Sequence, residues 1–186
     1  MKLLLIAFLS VAAFAGARAT LAPAPFGNAQ EPMKPGPQHA LLQKYAGSWD
    51  CVLTGMGPDG KEATSKGVSV SKKFGDFHTV EDFDAEFMGQ KFTGHGMVGY
   101  CSTRGAYFTY WADTMSPTPL TAYGQYDEKT KTMTQKGECL GASGKLEPCT
   151  LVTKHVDDDH FSFEMLASMP DGSQMCVLRI DYTRRK

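Results

Sequence analysis

At 186 residues, with 42% hydrophobic and 21% charged side chains, the chain is long enough for one domain with a real core and too apolar to stay disordered. Its formal net charge is -1, and no basic run is interleaved with aromatics. Together these exclude nucleic acid as the main partner, because phosphate binding needs clustered positive charge.

The first residues read as an address. Lys2 is followed by an almost unbroken apolar run over residues 3–15, interrupted by Ser10. Ala17-Arg18-Ala19 fits the small-x-small pattern of a leader-peptidase site, so residues 1–19 are predicted to be a signal peptide cut before Thr20. The run is shorter than the roughly 20 apolar residues that a spanning helix needs, which argues against a membrane anchor. No cysteine follows it to carry a lipid. Export to a periplasm or to the medium is therefore expected, and losing Lys2 and Arg18 leaves the mature chain more acidic. No later stretch is long enough to span a membrane. Residues 20–37 are crowded by Pro23, Pro25, Pro32, Pro35 and Pro37 and are predicted to be a semi-stiff linker.

Residues 38–46 start after Pro37 and stop at Gly47, the usual punctuation of a short helix. Leu41, Leu42 and Tyr45 lie on one side of it at the three-and-four spacing, and such a helix would cap the end of a barrel. Strand patterns then follow in steady succession over residues 48–54, 63–74, 77–87, 92–100, 106–112, 121–126, 132–140, 146–156, 160–166 and 175–183. The period of two puts Trp49, Cys51 and Leu53 on one face of the first strand. In the third it groups Phe77, Glu81, Phe83 and Phe87, and in the last Cys176, Leu178, Ile180 and Tyr182. Gly94, Gly96 and Gly99 in the fourth predict a bend or bulge.

Connections this short join antiparallel neighbours. An open sheet of about ten strands would leave two exposed edges, and closure removes them. The predicted fold is all-β: an antiparallel barrel of about ten strands with a short N-terminal capping helix, over residues 38–186. A two-layer sandwich is the rival.

Gly47-Ser48-Trp49 after a short helix looks like the opening of calycin-type barrels, the superfamily of lipocalins and fatty-acid-binding proteins. A longer pattern is more specific. It runs through Met33-Lys34-Pro35-Gly36-Pro37-x-His39, Gly47-Ser48-Trp49-Asp50-Cys51, Val80-Glu81-Asp82-Phe83 and Phe87-Met88-Gly89-Gln90. It continues through Phe92-x-Gly94-x-Gly96-x-x-Gly99-Tyr100, Trp111-x-Asp113-x-Met115-Ser116, Gly124-x-Tyr126-Asp127 and Ile180-x-Tyr182-x-Arg184. Together these resemble the family called domain of unknown function 1579, over about residues 33–185. The resemblance implies a calycin-like barrel, common among exported bacterial proteins, with no established activity and no agreed binding residues. Nitrobindins resemble it in architecture: ten-stranded barrels that hold haem through a histidine near the C-terminus. Residues 175–186 here contain no histidine, so no cofactor is expected; His155 or His160 would have to substitute.

Glu81 is the most informative polar residue, because a carboxylate on an apolar face costs several kcal/mol unless it is paired or protonated. It reads either as a ligand anchor in a cavity or as a structural hydrogen bond. Tyr107, Thr109, Trp111 and Asp113 share a parity; with Trp49, Tyr123 and Tyr126 they would line an aromatic cavity with a few polar tips, or pack as plain core. The predicted ligand-binding set is Trp49, Glu81, Tyr107, Trp111 and Asp113. The stretch from His155 to His160 carries metal-ligand types but sits where a solvated turn belongs, so no metal is expected. His78 and His95 fall on outer faces without evident partners.

Five cysteines survive leader removal, and in an exported chain they suggest two bridges and one free thiol. Cys139 and Cys149 flank a turn and are the preferred pair. No Gly-x-Ser-x-Gly, phosphate loop, His-Glu-x-x-His or Cys-x-x-Cys is present, so no reaction is assigned and catalysis is not expected. Three functions compete: an exported barrel holding a small apolar or amphipathic ligand, a protein-interaction module with a filled core, and a haem-binding or enzymatic barrel of nitrobindin type. No particular protein partner is indicated.

Overall fold

The computed structural model describes residues 33–56, 61–87, 89–141, 143–169 and 171–186. The predicted leader, residues 1–19, and residues 20–32 of the predicted linker lie outside them. The compact unit runs from Lys34 to Lys186. It contains one helix among the described residues, α1 (Pro37–Gln43), and ten strands. These are β1 (Gly47–Met56), β2 (Glu62–Phe74), β3 (His78–Phe87), β4 (Gln90–Cys101), β5 (Ala106–Asp113), β6 (Leu120–Asp127), β7 (Thr132–Leu140), β8 (Leu146–His155), β9 (His160–Ser168) and β10 (Gln174–Arg184). Each pairs antiparallel with its sequence neighbours, and β1 also pairs with β10, closing the sheet into a barrel. The predicted all-β barrel is the observed one.

Closure rests on a contact between the two ends of the domain. The Arg184 guanidinium lies 4.0 Å from the centre of the Trp49 ring. From there it donates to the carbonyls of Ala46 (2.9 Å), Lys44 (3.0 Å) and Asp158 (2.8 Å). Gly47 approaches so closely that a Cβ there would meet Arg184, and its φ of +146° also disfavours a side chain. The Trp49 indole donates to the Tyr45 carbonyl at 3.0 Å. The Gly-Ser-Trp opening thus has a mechanical reading: the glycine admits the arginine, and the tryptophan receives it.

The helix is shorter than predicted, because residues 44–45 are a turn rather than a continuation. It still seals one end of the barrel. Leu42 is 1% exposed and packs with Tyr107 and Met133. Its carbonyl accepts from the Thr79 hydroxyl at 3.1 Å. At this end lie the β2–β3, β4–β5, β6–β7 and β8–β9 turns; the other five connections lie at the opposite end.

Several sequence-based expectations need correcting. Cys176 faces out and is exposed, because a bulge between Cys176 and Leu178 breaks the register of β10 on β9 and reverses its parity. Tyr123 also lies outside, under the Arg104 guanidinium. Gly94 and Gly96 are not there for a bend: a Cβ at either would press on the Trp111 ring, which lies across them from β5. His95 does have a partner, with Nδ1 2.8 Å from Asp82 Oδ1.

One disulfide forms, Cys139–Cys149, as preferred from the sequence. The two residues are diagonal rather than opposite, since Cys139 faces Glu147 and Cys149 faces Gly137. The expected second bridge is not made. Cys51 is buried in the interior, Cys101 ends β4 beside a turn and Cys176 is outside, so these three remain thiols.

Two outcomes follow for stability. Arg184→Ala should lower the unfolding free energy by about 2–4 kcal/mol, because it removes charge-assisted hydrogen bonds and a cation–π interaction together. Arg184→Lys should recover little, since an ammonium cannot reach three carbonyls in a planar fork. Denaturant titration reads both. Replacing Cys139 and Cys149 with serine should cost about 2–3 kcal/mol, the chain-entropy value for so short a loop. Wild type should lose a similar amount on reduction; a smaller loss would mean the bridge contributes little.

Candidate functional site

The barrel is hollow. A cavity of about 500 Å³ occupies the interior, between a floor at the α1 end and a rim at the opposite end. The rim is marked by lining residues that also reach the surface, Met115 and Leu140.

Position along the barrel axis decides what each inward residue does. Near the floor, among Val98, Met133 and Phe161, the lining carries a belt of polar side chains: Ser71 of β2, Thr79 and Glu81 of β3, Thr109 of β5, Gln135 of β7 and Thr153 of β8. Tyr45, from the turn after α1, joins them. Above this belt Phe83, Trp111, Phe163 and Ile180 form the walls, with Phe87 and Phe92 near the rim, where Asp113, Ser116, Thr118 and Glu138 also border the cavity. Phe83 is 1% exposed and meets Phe92, Trp111 and Tyr182 edge-on, with centroids 5.8, 6.1 and 6.4 Å away. These contacts hold the walls at fixed spacing.

Glu81 lies where the belt meets the walls. Its Oε1 accepts from the Ser69 hydroxyl at 2.5 Å. Burial pushes its carboxyl above the ordinary range and Asp82 pushes the same way; the Ser69 hydrogen bond and His95 oppose. The neighbouring groups respond to it. Tyr182 is held well above its usual range, first by burial and then by Glu81, and burial and Glu81 likewise push the Cys51 thiol up. Among the described residues no lysine, arginine or histidine lines the cavity.

Two polar atoms of the belt have no hydrogen-bond partner among the described residues. Gln135 is 3% exposed. Its Oε1 accepts from Thr109 Oγ1 at 2.8 Å, while its Nε2 is unpartnered. Turning the amide over would only exchange which end is left over. The Tyr45 hydroxyl is the second. Buried polar atoms are normally paired, so these two mark a place that is incomplete by itself.

Three of the five predicted site residues border the cavity: Glu81, Trp111 and Asp113. Asp113 is already committed. Its Oδ2 accepts from Trp111 Nε1 at 2.8 Å, and its Oδ1 from the backbone N–H groups of Met115 (2.8 Å) and Ser116 (2.9 Å). It therefore positions Trp111 and shapes the rim. Trp49 and Tyr107 point inward as predicted but lie below the cavity, Trp49 under Arg184 and Tyr107 against Leu42. Burial, with Glu128 next, pushes the Tyr107 phenol up to about 12. Tyr126 packs into that same floor cluster. Gln135, Thr79 and Tyr45 were missed. A glutamine in the inward row of β7 was a signal of the same kind as Glu81.

His155 and His160 lie at the closed end, on either side of the β8–β9 turn. His160 Nδ1 is 2.8 Å from Asp157 Oδ1, and the His155 ring packs edge-on to Tyr45 with centroids 6.2 Å apart. Neither lines the cavity, so haem held by histidine, as in nitrobindins, does not fit these residues. Among the described residues no group of three His, Cys, Asp or Glu could hold a metal ion, and no helix is long and apolar enough to cross a membrane.

No curated protein matches the chain. Among solved structures, the crystal structure of Rv2717c from M. tuberculosis aligns at a TM-score of 0.62 and 14% identity, covering 82% of this chain and all of that one, 100%. At that identity the likeness concerns the fold alone. A de novo designed fluorescence-activating β-barrel aligns more loosely, at a TM-score of 0.42 and 12% identity over 77% of this chain and 96% of that one. The sequence likeness is the firmer result: a family model described as "Protein of unknown function (DUF1579)" matches residues 34–184, and the chain belongs to that family.

Proposed function

We propose that the barrel holds a small apolar or amphipathic molecule in its interior. The observation that carries this reading is the cavity of about 500 Å³, a volume usual for small-molecule sites and walled mainly by aromatic and aliphatic side chains. The competing interaction module required a filled core. Trp111 is the main apolar contact, held by Asp113, and Glu81 is the polar anchor. Trp49 and Tyr107 support from beneath. We place the protein outside the cytoplasm, on the strength of the leader-like residues 1–19 and of a disulfide suited to an oxidising compartment.

An apolar probe such as Nile red should bind and change the tryptophan fluorescence. Trp111→Ala should weaken that binding about tenfold or more. Trp111→Phe should abolish the change in emission while Trp49 still reports a folded core. If Trp111→Ala and Glu81→Gln both bind the probe as well as wild type does, the site is misplaced.

Glu81 also sets a pH dependence. Its folded-state carboxyl lies above the ordinary 4.5, so over the interval between the two values the folded chain keeps a proton that the unfolded chain has released. Stability contributed there is full below 4.5 and is lost as pH rises toward the folded-state value. Denaturation midpoints taken upward from pH 4.5 should fall less steeply for Glu81→Gln than for wild type. Equal slopes would place the Glu81 carboxyl in water.

A further inference from the structure

We infer that the cavity selects an uncharged amphiphile, one with an apolar body and a neutral hydrogen-bonding head such as a hydroxyl, ester or ketone. This rests on the carriage reading above and names the ligand class for the same site.

A carboxylate in such an interior needs a cation, and no lysine, arginine or histidine among the described residues lines the cavity. Among the described residues the carboxylic acids that border it are Glu81, Asp113 and Glu138, so an anionic head would meet no cation there. A ligand anion would remain unpaired in a dry site, the costliest way to bury a charge.

A cationic head fares little better. Asp113 is already satisfied by Trp111, Met115 and Ser116. Glu138 is exposed at the rim, where water competes. That leaves Glu81, whose Oε1 is already engaged by Ser69. Pairing an ammonium with it would require the buried carboxyl to ionise and the ammonium to give up its water at the bottom of an apolar shaft, a loss that mutual attraction seldom repays.

A neutral head meets complementary groups. Gln135 keeps one end of its amide without a partner, and so does the Tyr45 hydroxyl. Both belong to the polar belt near the floor, and the apolar walls rise above it toward the rim. An alcohol or carbonyl head placed low in the shaft would satisfy such atoms once a side-chain rotation turns them from their covered positions toward it, without bringing in charge, and its chain would run up past Phe83 and Trp111. Discrimination follows from what the floor leaves unsatisfied, because an analogue that cannot pair with those atoms forfeits their hydrogen bonds.

The test is displacement of Nile red from the full domain at neutral pH by four ligands of one chain length: decanol, methyl decanoate, decanoate and decylammonium. Decanol and methyl decanoate should compete at least about tenfold more tightly than either ion. With decane added as a headless reference, Tyr45→Phe and Gln135→Leu should narrow the advantage of decanol over decane, a ratio that a general loss of stability would not move. If decanoate or decylammonium competes as well as decanol while Nile red still binds, the selectivity is overturned and carriage stands. If Nile red and all four ligands fail to bind folded protein, carriage is overturned and this inference with it.

Discussion

Everything inside this protein depends on β1 being held between β2 and β10. A meander of ten strands has no intrinsic reason to bury its first and last edges against each other, because backbone pairing there closes the longest loop in the chain. The side chains at the seam supply the reason. Cys51 faces Tyr182 and Leu53 faces Ile180 across it. These four join Trp49 and Phe83 in one buried cluster. Arg184 then ties the end of β10 to the turn that leads into β1, over the face of Trp49. Without the seam the interior would be the open face of a sheet.

Closure creates an interior of two characters. The belt near the floor contains Thr79, Glu81 and Gln135, and the shaft above it is aromatic and aliphatic. A protein selected for stability alone would fill such a space, since voids forfeit packing and unpartnered polar atoms cost free energy. Here the glycines of β4 make room for Trp111 to lie against the wall, and Asp113 holds its indole in place. The seal lies elsewhere, in the Leu42, Tyr107 and Met133 cluster under the helix. The division of labour between a packed floor and a hollow shaft accords with selection for occupancy.

Much of the candidate site could be seen in the chain as written. The period of two turned Glu81 and Trp111 inward, and both border the cavity. The same rule assigned Trp49 and Tyr107 inward, and they are inward, yet they lie below the hollow. Parity distinguishes the two faces of a sheet and says nothing about height along a barrel axis. It also fails past an irregularity: one extra residue in β10 was enough to put Cys176 outside. Asp113, expected as a ligand-binding residue, is occupied instead: Trp111 takes Oδ2, and the turn that takes Oδ1 lies after the strand, where periodicity carries no information.

Alternation and turn residues alone determined ten antiparallel strands, their approximate bounds and the inward rows, because those are local consequences of backbone geometry and side-chain polarity. The local pairing of Cys139 with Cys149 was equally accessible, since a single hairpin brings them together. Only the tertiary structure decided where the hollow begins, which inward side chains are spent on packing, and that Gln135 and Tyr45 are left with unmet hydrogen bonds. Those outcomes depend on strands far apart in sequence meeting across an enclosed space, and no local pattern encodes the distance across a barrel.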